Sequence, residues 1–182
     1  MKIEFFKHNI TEGDITAAGQ VMKSIFITTG PKVGEFEKIF AEYLSIPEAV
    51  GLTSCTGALH LALLRHGVGP GDEVITTPMT FVATATAILQ AGATPVFVDV
   101  CPKSGMILPE AVKAAITEKT KAILPVHLYG RMADMRGLSE IAEKHGLVLI
   151  EDAAHCIEGV RDGVRPGQLS QAACFSFYAT KS

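Results

Sequence analysis

Ala133-Asp134-Met135-Arg136-Gly137-Leu138-Ser139-Glu140-Ile141-Ala142-Glu143-Lys144-His145-Gly146-Leu147-Val148-Leu149-Ile150-Glu151-Asp152 sets two periodicities side by side. Over Ala133–His145, Leu138, Ile141 and Ala142 share one face with charges opposite, the pattern of a helix with one buried stripe. Past Gly146, Leu147–Asp152 is a short continuous apolar run closed by two carboxylates, which reads as a strand buried on both faces.

The same pairing repeats outward from this stretch. Short runs rich in Val, Ile, Leu or Phe recur at Glu73–Thr76, Pro95–Asp99, Ala122–Val126 and Ala172–Phe177, each bounded by Gly, Pro or Asp. Helical spacing fills the intervals Thr56–His66, Thr80–Ala91 and Pro109–Ile116. Short links such as Gly67-Val68-Gly69-Pro70-Gly71-Asp72 then predict right-handed crossovers, so the fold class is α/β: a mostly parallel sheet with helices on both faces. Upstream, Thr11–Ser24 and Val33–Leu44 read as two helices joined by Ile25–Lys32, where Thr28-Thr29-Gly30-Pro31 is turn chemistry.

The composition narrows the function classes. A chain of 182 residues that is 48% hydrophobic with a net charge of −3 is expected to be one globular domain with a substantial core. The most apolar candidate for a membrane span, Phe81 to Val98, is interrupted by Thr84, Thr86, Gln90, Gly92, Thr94 and Pro95. Met1–Asn9 lacks the apolar core of a signal peptide, so a cytoplasmic location is the expectation. Cys55, Cys101, Cys156 and Cys174 are widely spaced, which argues against a paired-thiol metal site and a disulfide framework, and no metal is expected. The sixteen Lys and Arg form no basic run, so no nucleic-acid partner is expected.

In open α/β sheets ligands sit beyond the carboxyl ends of the strands, and three segments carry polar groups there. In Leu52-Thr53-Ser54-Cys55-Thr56-Gly57-Ala58-Leu59-His60, small hydroxyl residues open a helix, and two readings stand: a phosphate held by unpaired amides, or a plain N-cap by Ser54 or Thr56. Val148–His155 is a buried strand ending in Glu151 and Asp152, which alternation sends to opposite faces; one of them faces a site or caps the next turn. Ala173–Ser182 is a strand running into Lys181, which is either a solvated terminal side chain or an amine with a task. Together the segments answer the needs of one cofactor: a phosphate cradle, a carboxylate for a pyridine nitrogen and an amine for covalent attachment.

Seven ordered stretches then carry a resemblance. They are Gly30-Pro31-x-Val33-x-x-Phe36-Glu37, Ser54–His60, Gly69-Pro70-Gly71-Asp72-Glu73-Val74-Ile75, Thr80-Phe81-Val82-Ala83-Thr84, Pro125-Val126-His127-Leu128-Tyr129-Gly130, Glu151-Asp152-Ala153-Ala154-His155 and Phe175-Ser176-Phe177-Tyr178-Ala179-Thr180-Lys181. The sequence resembles the DegT/StrS sugar aminotransferases, fold-type I enzymes that use pyridoxal 5'-phosphate (PLP). The resemblance implies that Lys181 holds the cofactor covalently and moves a proton between substrate and cofactor carbons, and that Asp152 pairs with the pyridine nitrogen. It implies phosphate contacts from the amides of Thr56 and Gly57 and the hydroxyl of Ser176. Phe81 would stack on the ring, its other reading being a core aromatic in an amphipathic helix. His155 would lie near the phenolic oxygen, a choice associated with 4-keto sugars, and Thr28, Thr29 and Gly30 would line the substrate loop. His127 stays outside the implied site. A related branch that removes a 3-hydroxyl has histidine at the lysine position, so Lys181 argues for transamination.

The expected activity is transfer of an amino group from an amino acid, glutamate first, to a nucleotide-linked keto sugar, by a homodimer in the full-length form. The same chemistry on a cyclitol or other keto acceptor, and a non-catalytic truncated fragment, are the rival expectations. Residues 1–182 would be the N-terminal part of the PLP-binding large domain, without the rest of that domain or the small C-terminal domain, and inactive or aggregation-prone in isolation.

Overall fold

The computed structural model describes residues 9–181. The stretch read above for a leader lies outside them, apart from Asn9. The described chain forms two compact units, one of residues up to Gly51 with Phe177–Lys181, the other of Leu52–Ser176.

The first unit holds helices α1 (Glu12–Met22) and α2 (Pro31–Leu44). A capping box opens α1: Asp14 N–H donates to Thr11 Oγ1 at 3.3 Å, and Thr11 N–H donates to Asp14 Oδ2 at 2.7 Å. Pro31 and Lys32, expected in the connecting turn, instead begin α2, because proline at the first helical position gives up an amide that has no intrahelical acceptor. Gly30 is the N-cap, and a Cβ there would sit 2.8 Å from Phe26 Cβ, so the turn from Ile25 closes only on glycine. Phe36 and Phe40 stack at 5.6 Å, and Phe177 meets both edge-on at 5.1 and 5.4 Å. That aromatic cluster ties the segment carrying Lys181 to α2.

The second unit is the α/β layer. Its strands β1 (Glu73–Thr76), β2 (Thr94–Phe97), β3 (Thr120–Ile123), β4 (Val148–Asp152) and β5 (Ala172–Cys174) form one parallel sheet in the order β2-β1-β3-β4-β5. Helices α3 (Cys55–Arg65), α4 (Ala83–Gln90), α5 (Pro109–Ala115) and α6 (Met135–His145) cover it.

Side-chain alternation along the strands decides which helix goes where. Val74, Ala122, Leu124 and Ile150 join Leu59 and Leu63 of α3 and Ala87 and Ile88 of α4 in one core. Ile75, Ile123 and Leu149 join Val112 of α5 and Leu138 and Ala142 of α6 in the other. β1 runs to β2 on one side and the chain then returns to place β3 on the other, so right-handed crossovers put α4 on one face and α5 and α6 on the opposite one. The reversal lies between β1 and β3.

Element ends differ from the sequence reading for local reasons. α6 begins at Met135 because Asp134 is the N-cap, its Oδ1 accepting Gly137 N–H at 3.1 Å, and it ends at Gly146 with φ 65°. β3 begins at Thr120, earlier than Ala122, and its ladder thins past Leu124, where Pro125 has no N–H to donate. β5 stops at Cys174, well before Phe177, which belongs to the first unit.

Candidate cofactor site

Asp152 closes β4 at its carboxyl end and is 5% exposed. Its Oδ2 accepts the Thr84 hydroxyl at 2.7 Å and its Oδ1 the Ala154 amide at 3.2 Å. Thr84 is fully buried on α4, and its Oγ1 also lies 2.6 Å from Thr80 Oγ1. Among the described residues no cationic side chain pairs with Asp152. The hydroxyl and the amide that donate to Asp152 are both neutral and supply no counter-charge.

Alternation sends Glu151 the other way, as expected. Glu151 is fully buried against His127 at 2.6 Å, so of the two carboxylates only Asp152 is held on the Thr84 side.

The link from α3 to β1 spans only residues 66–72, so α3 runs back along the sheet and its N-terminus lies at the carboxyl ends of the strands. α3 packs against β4 and β5. Burial pushes the Cys174 thiol well above its ordinary value, helped by neighbouring Cys55 and then by the carboxylates of Asp152 and Glu151. The first turn of α3, the end of β4 and β5 therefore meet around one point.

The two readings of the α3 entry resolve in part. Ser54 is the N-cap, its Oγ accepting Gly57 N–H at 3.0 Å, and Thr56 is not. The Gly57 amide is thus already engaged, while Thr56, at the second helical position, has no intrahelical acceptor for its own. A Cβ on Gly57 would meet Ser54 Oγ at 3.2 Å and nothing else within 4 Å, so glycine there protects the cap and leaves the approach open.

Phe81 is 69% exposed in the segment between β1 and α4, which contradicts the reading of it as a core aromatic inside a helix. The helix starts later, at Ala83, with Thr84 turned inward to Asp152. His155 is half-buried three residues past β4; its ring stacks on Tyr129 at 5.7 Å and 20°, and its Nδ1 lies 3.5 Å from the Tyr129 amide. Ser176 is half-buried two residues past β5.

Thr56, Gly57, Phe81, Asp152, His155 and Ser176 all belong to the sheet unit, whereas Thr28, Thr29, Gly30 and Lys181 belong to the other. Lys181 is half-buried, and its amide donates to Tyr178 O at 2.8 Å. Thr28 and Thr29 are exposed, and Gly30 has the structural task described above.

Sequence reasoning missed Thr84 and Tyr129. Thr84 lies 68 residues from the carboxylate it binds, a separation no local pattern bridges. Tyr129 offers a signal only in retrospect, through the following Gly130: both take left-handed backbone, φ 54° and 79°, and only the tyrosine pays a steric cost for it.

A shallow cleft of about 330 Å³ lies beside the same turn, lined by Tyr129, Gly130, Arg131, Met132, Val160 and Arg161. Its arginines are engaged, Arg131 on the carbonyls of Lys103 and Ser104, Arg161 with Asp162 and Asp134 at 3.5 and 3.9 Å.

Residues 8–182 match the model of the DegT/DnrJ/EryC1/StrS aminotransferase family. The chain belongs to this family. Among relatives, a "pleiotropic regulatory protein" of Geobacillus stearothermophilus is 50% identical over 90% of this chain and 44% of its own length. A GDP-perosamine synthase of Caulobacter vibrioides is 44% identical over 85% of this chain and 42% of its own. The Streptococcus pneumoniae protein Spr1654, solved in a PLP form, superposes with a TM-score of 0.94 at 37% identity over 100% of this chain and 50% of that one. The chain spans about half the length of the relatives it matches. Among the described residues no helix is long and apolar enough to cross a membrane, and no cluster of His, Cys, Asp and Glu could hold a metal ion.

Proposed function

We propose that this chain is the N-terminal part of the large domain of a PLP-dependent aminotransferase, acting in its full-length form as a cytoplasmic homodimer. The supporting observation is Asp152: a buried carboxylate at a strand's carboxyl end, held by a hydroxyl and an amide, with no cationic partner among the described residues. A protonated pyridine nitrogen is the cation that such a group suits, and membership of the family supplies the context.

The residues present fit that cofactor. Asp152 would hold the ring nitrogen in its protonated state, with Thr84 and the Ala154 amide fixing the carboxylate's orientation. The amide and hydroxyl of Thr56, beside the Ser54 cap, and the Ser176 hydroxyl would take the phosphate, aided by the positive end of α3. Gly57 keeps that approach open. Exposed Phe81 has the free face needed for stacking, and His155, oriented by Tyr129, would serve the phenolic oxygen. Lys181 Nζ would be the point of covalent attachment and the carrier of the proton between carbons. When bound, the cofactor supplies the electron sink for that proton transfer.

The donor would be an amino acid, glutamate first, and the acceptor a nucleotide-linked keto sugar; a relative named GDP-perosamine synthase supports that acceptor class. Incubating the full-length protein with PLP, glutamate and a panel of nucleotide-linked keto sugars tests it. Amino-sugar product that disappears in Lys181→Ala is expected; product undiminished in that variant, or no transfer to any keto acceptor, refutes the proposal.

A further inference from the structure

Two fully buried side chains are left over: His127 just after β3 and Glu151 on β4. Their hydrogen bonds run in one direction. Ala133 N–H donates to His127 Nδ1 at 3.2 Å, which requires that nitrogen to be unprotonated and puts the ring proton on Nε2. Nε2–H then donates to Glu151 Oε2 at 2.6 Å, while Glu151 Oε1 accepts Gly167 N–H at 2.8 Å and the Ser170 hydroxyl at 2.5 Å. Three donors of the network end on the Glu151 carboxylate, and the Ala133 amide ends on His127 Nδ1.

The network binds three segments behind the cofactor side of the sheet. Glu151 shares a peptide with Asp152, and the His127 amide donates to Asp152 O at 2.9 Å. The bond from Ala133 to the His127 ring closes the turn 127–133, which presents Tyr129 to His155. The bonds to Gly167 and Ser170 fix the connection entering β5.

We propose that His127 and Glu151 are positioning residues for the cofactor site: they hold Asp152 and the Tyr129–His155 stack in register, so that cofactor affinity and ring protonation depend on a pair that never touches the cofactor. The proposal rests on the functional reading above. Glu151→Gln is the sharpest perturbation. Whichever way the amide turns, its NH2 opposes a fixed donor, either His127 Nε2–H or Gly167 N–H; only the Ser170 hydroxyl can adapt, accepting from the NH2 and donating to Ala172 O instead. A tautomer flip of His127 only moves the conflict to Ala133 N–H.

The test uses full-length protein and reads three quantities: thermal stability, the PLP dissociation constant, and the pH midpoint of the bound cofactor's near-visible band. Leu138→Ala, a core truncation in α6, is the control for stability loss alone. Glu151→Gln should weaken PLP binding about tenfold and move the pH midpoint, whereas Leu138→Ala lowers stability and leaves both within about twofold. If Glu151→Gln only loses stability, with affinity and midpoint unchanged, the inference is overturned. Should that variant not fold, Ser170→Ala carries the test, because it removes one donor and leaves the charge: about threefold weaker PLP binding supports the inference and unchanged binding overturns it. If wild-type protein binds no PLP, the functional reading fails and the inference with it; wild-type binding with unaffected variants refutes the inference alone.

Discussion

Thr84→Val removes a single hydroxyl from a fully buried position without changing the side chain's shape. Thr84 Oγ1 donates to Asp152 Oδ2 at 2.7 Å, one of two donors to that carboxylate, so the variant leaves Oδ2 buried and unsatisfied. A hydrogen bond to a charged group contributes about 1.5 to 3 kcal/mol, and the orphaned partner adds its desolvation, so a loss of about 2 kcal/mol is expected. Thr80 also loses its 2.6 Å partner, but it is half-buried and water can replace the bond. In an Asp152→Asn background the same change removes only a neutral bond, so the double-mutant cycle should show coupling of about 1 kcal/mol. Urea unfolding of the full-length protein at fixed concentration measures both quantities. A Thr84→Val loss below about 0.5 kcal/mol, or additive effects of the two changes, would refute the claim that Thr84 orients the Asp152 carboxylate.

Gly30→Ala should cost about 1 to 3 kcal/mol, measured by urea unfolding, because its Cβ would lie 2.8 Å from Phe26 Cβ and 3.1 Å from Phe26 O. Gly146→Ala meets nothing within 4 Å and should cost only about 1 kcal/mol, from φ 65° alone. Burial, aided by the Glu151 carboxylate, pushes the Cys156 thiol up from 9.0 to about 11, while the Ser104 hydroxyl holds Cys101 below its ordinary value. In timed thiol labelling at pH 8, Cys101 should therefore react well before Cys156. Because the fold keeps Cys156 protonated where the unfolded chain would ionise, its contribution to stability is intact below pH 9 and is lost as pH rises to about 11; Cys156→Ala should flatten that part of the pH–stability curve.

The layer order was legible because the apolar runs and helical stripes are local. Leu138, Ile141 and Ala142 lie on one face as their spacing predicts, and each expected strand has a counterpart in the sheet. The errors fall where tertiary contacts decide. Thr120 and Lys121 look polar, yet they begin β3 because Glu73 N–H finds Lys119 O at 2.8 Å. α4 starts at Ala83, later than Thr80, and its buried Thr84 bonds a carboxylate far along the chain. Of the site, Asp152 was legible as one of two strand-end acids, but which acid faces which way rests on pairing with His127, 24 residues distant. The cap at Ser54 was visible as a hydroxyl before a helix; that it engages the Gly57 amide was not.

The measurement that bears most directly on Asp152 and Lys181 as the cofactor's two anchors is the absorbance spectrum of the full-length protein after PLP loading and exhaustive dialysis, compared with Lys181→Ala and Asp152→Asn. A retained near-visible band is expected in the wild type, none in Lys181→Ala, and in Asp152→Asn a band that is weakly held and shifted in its pH response. A band that persists in Lys181→Ala, or an Asp152→Asn spectrum and affinity matching the wild type, would contradict the assignment of these two anchors.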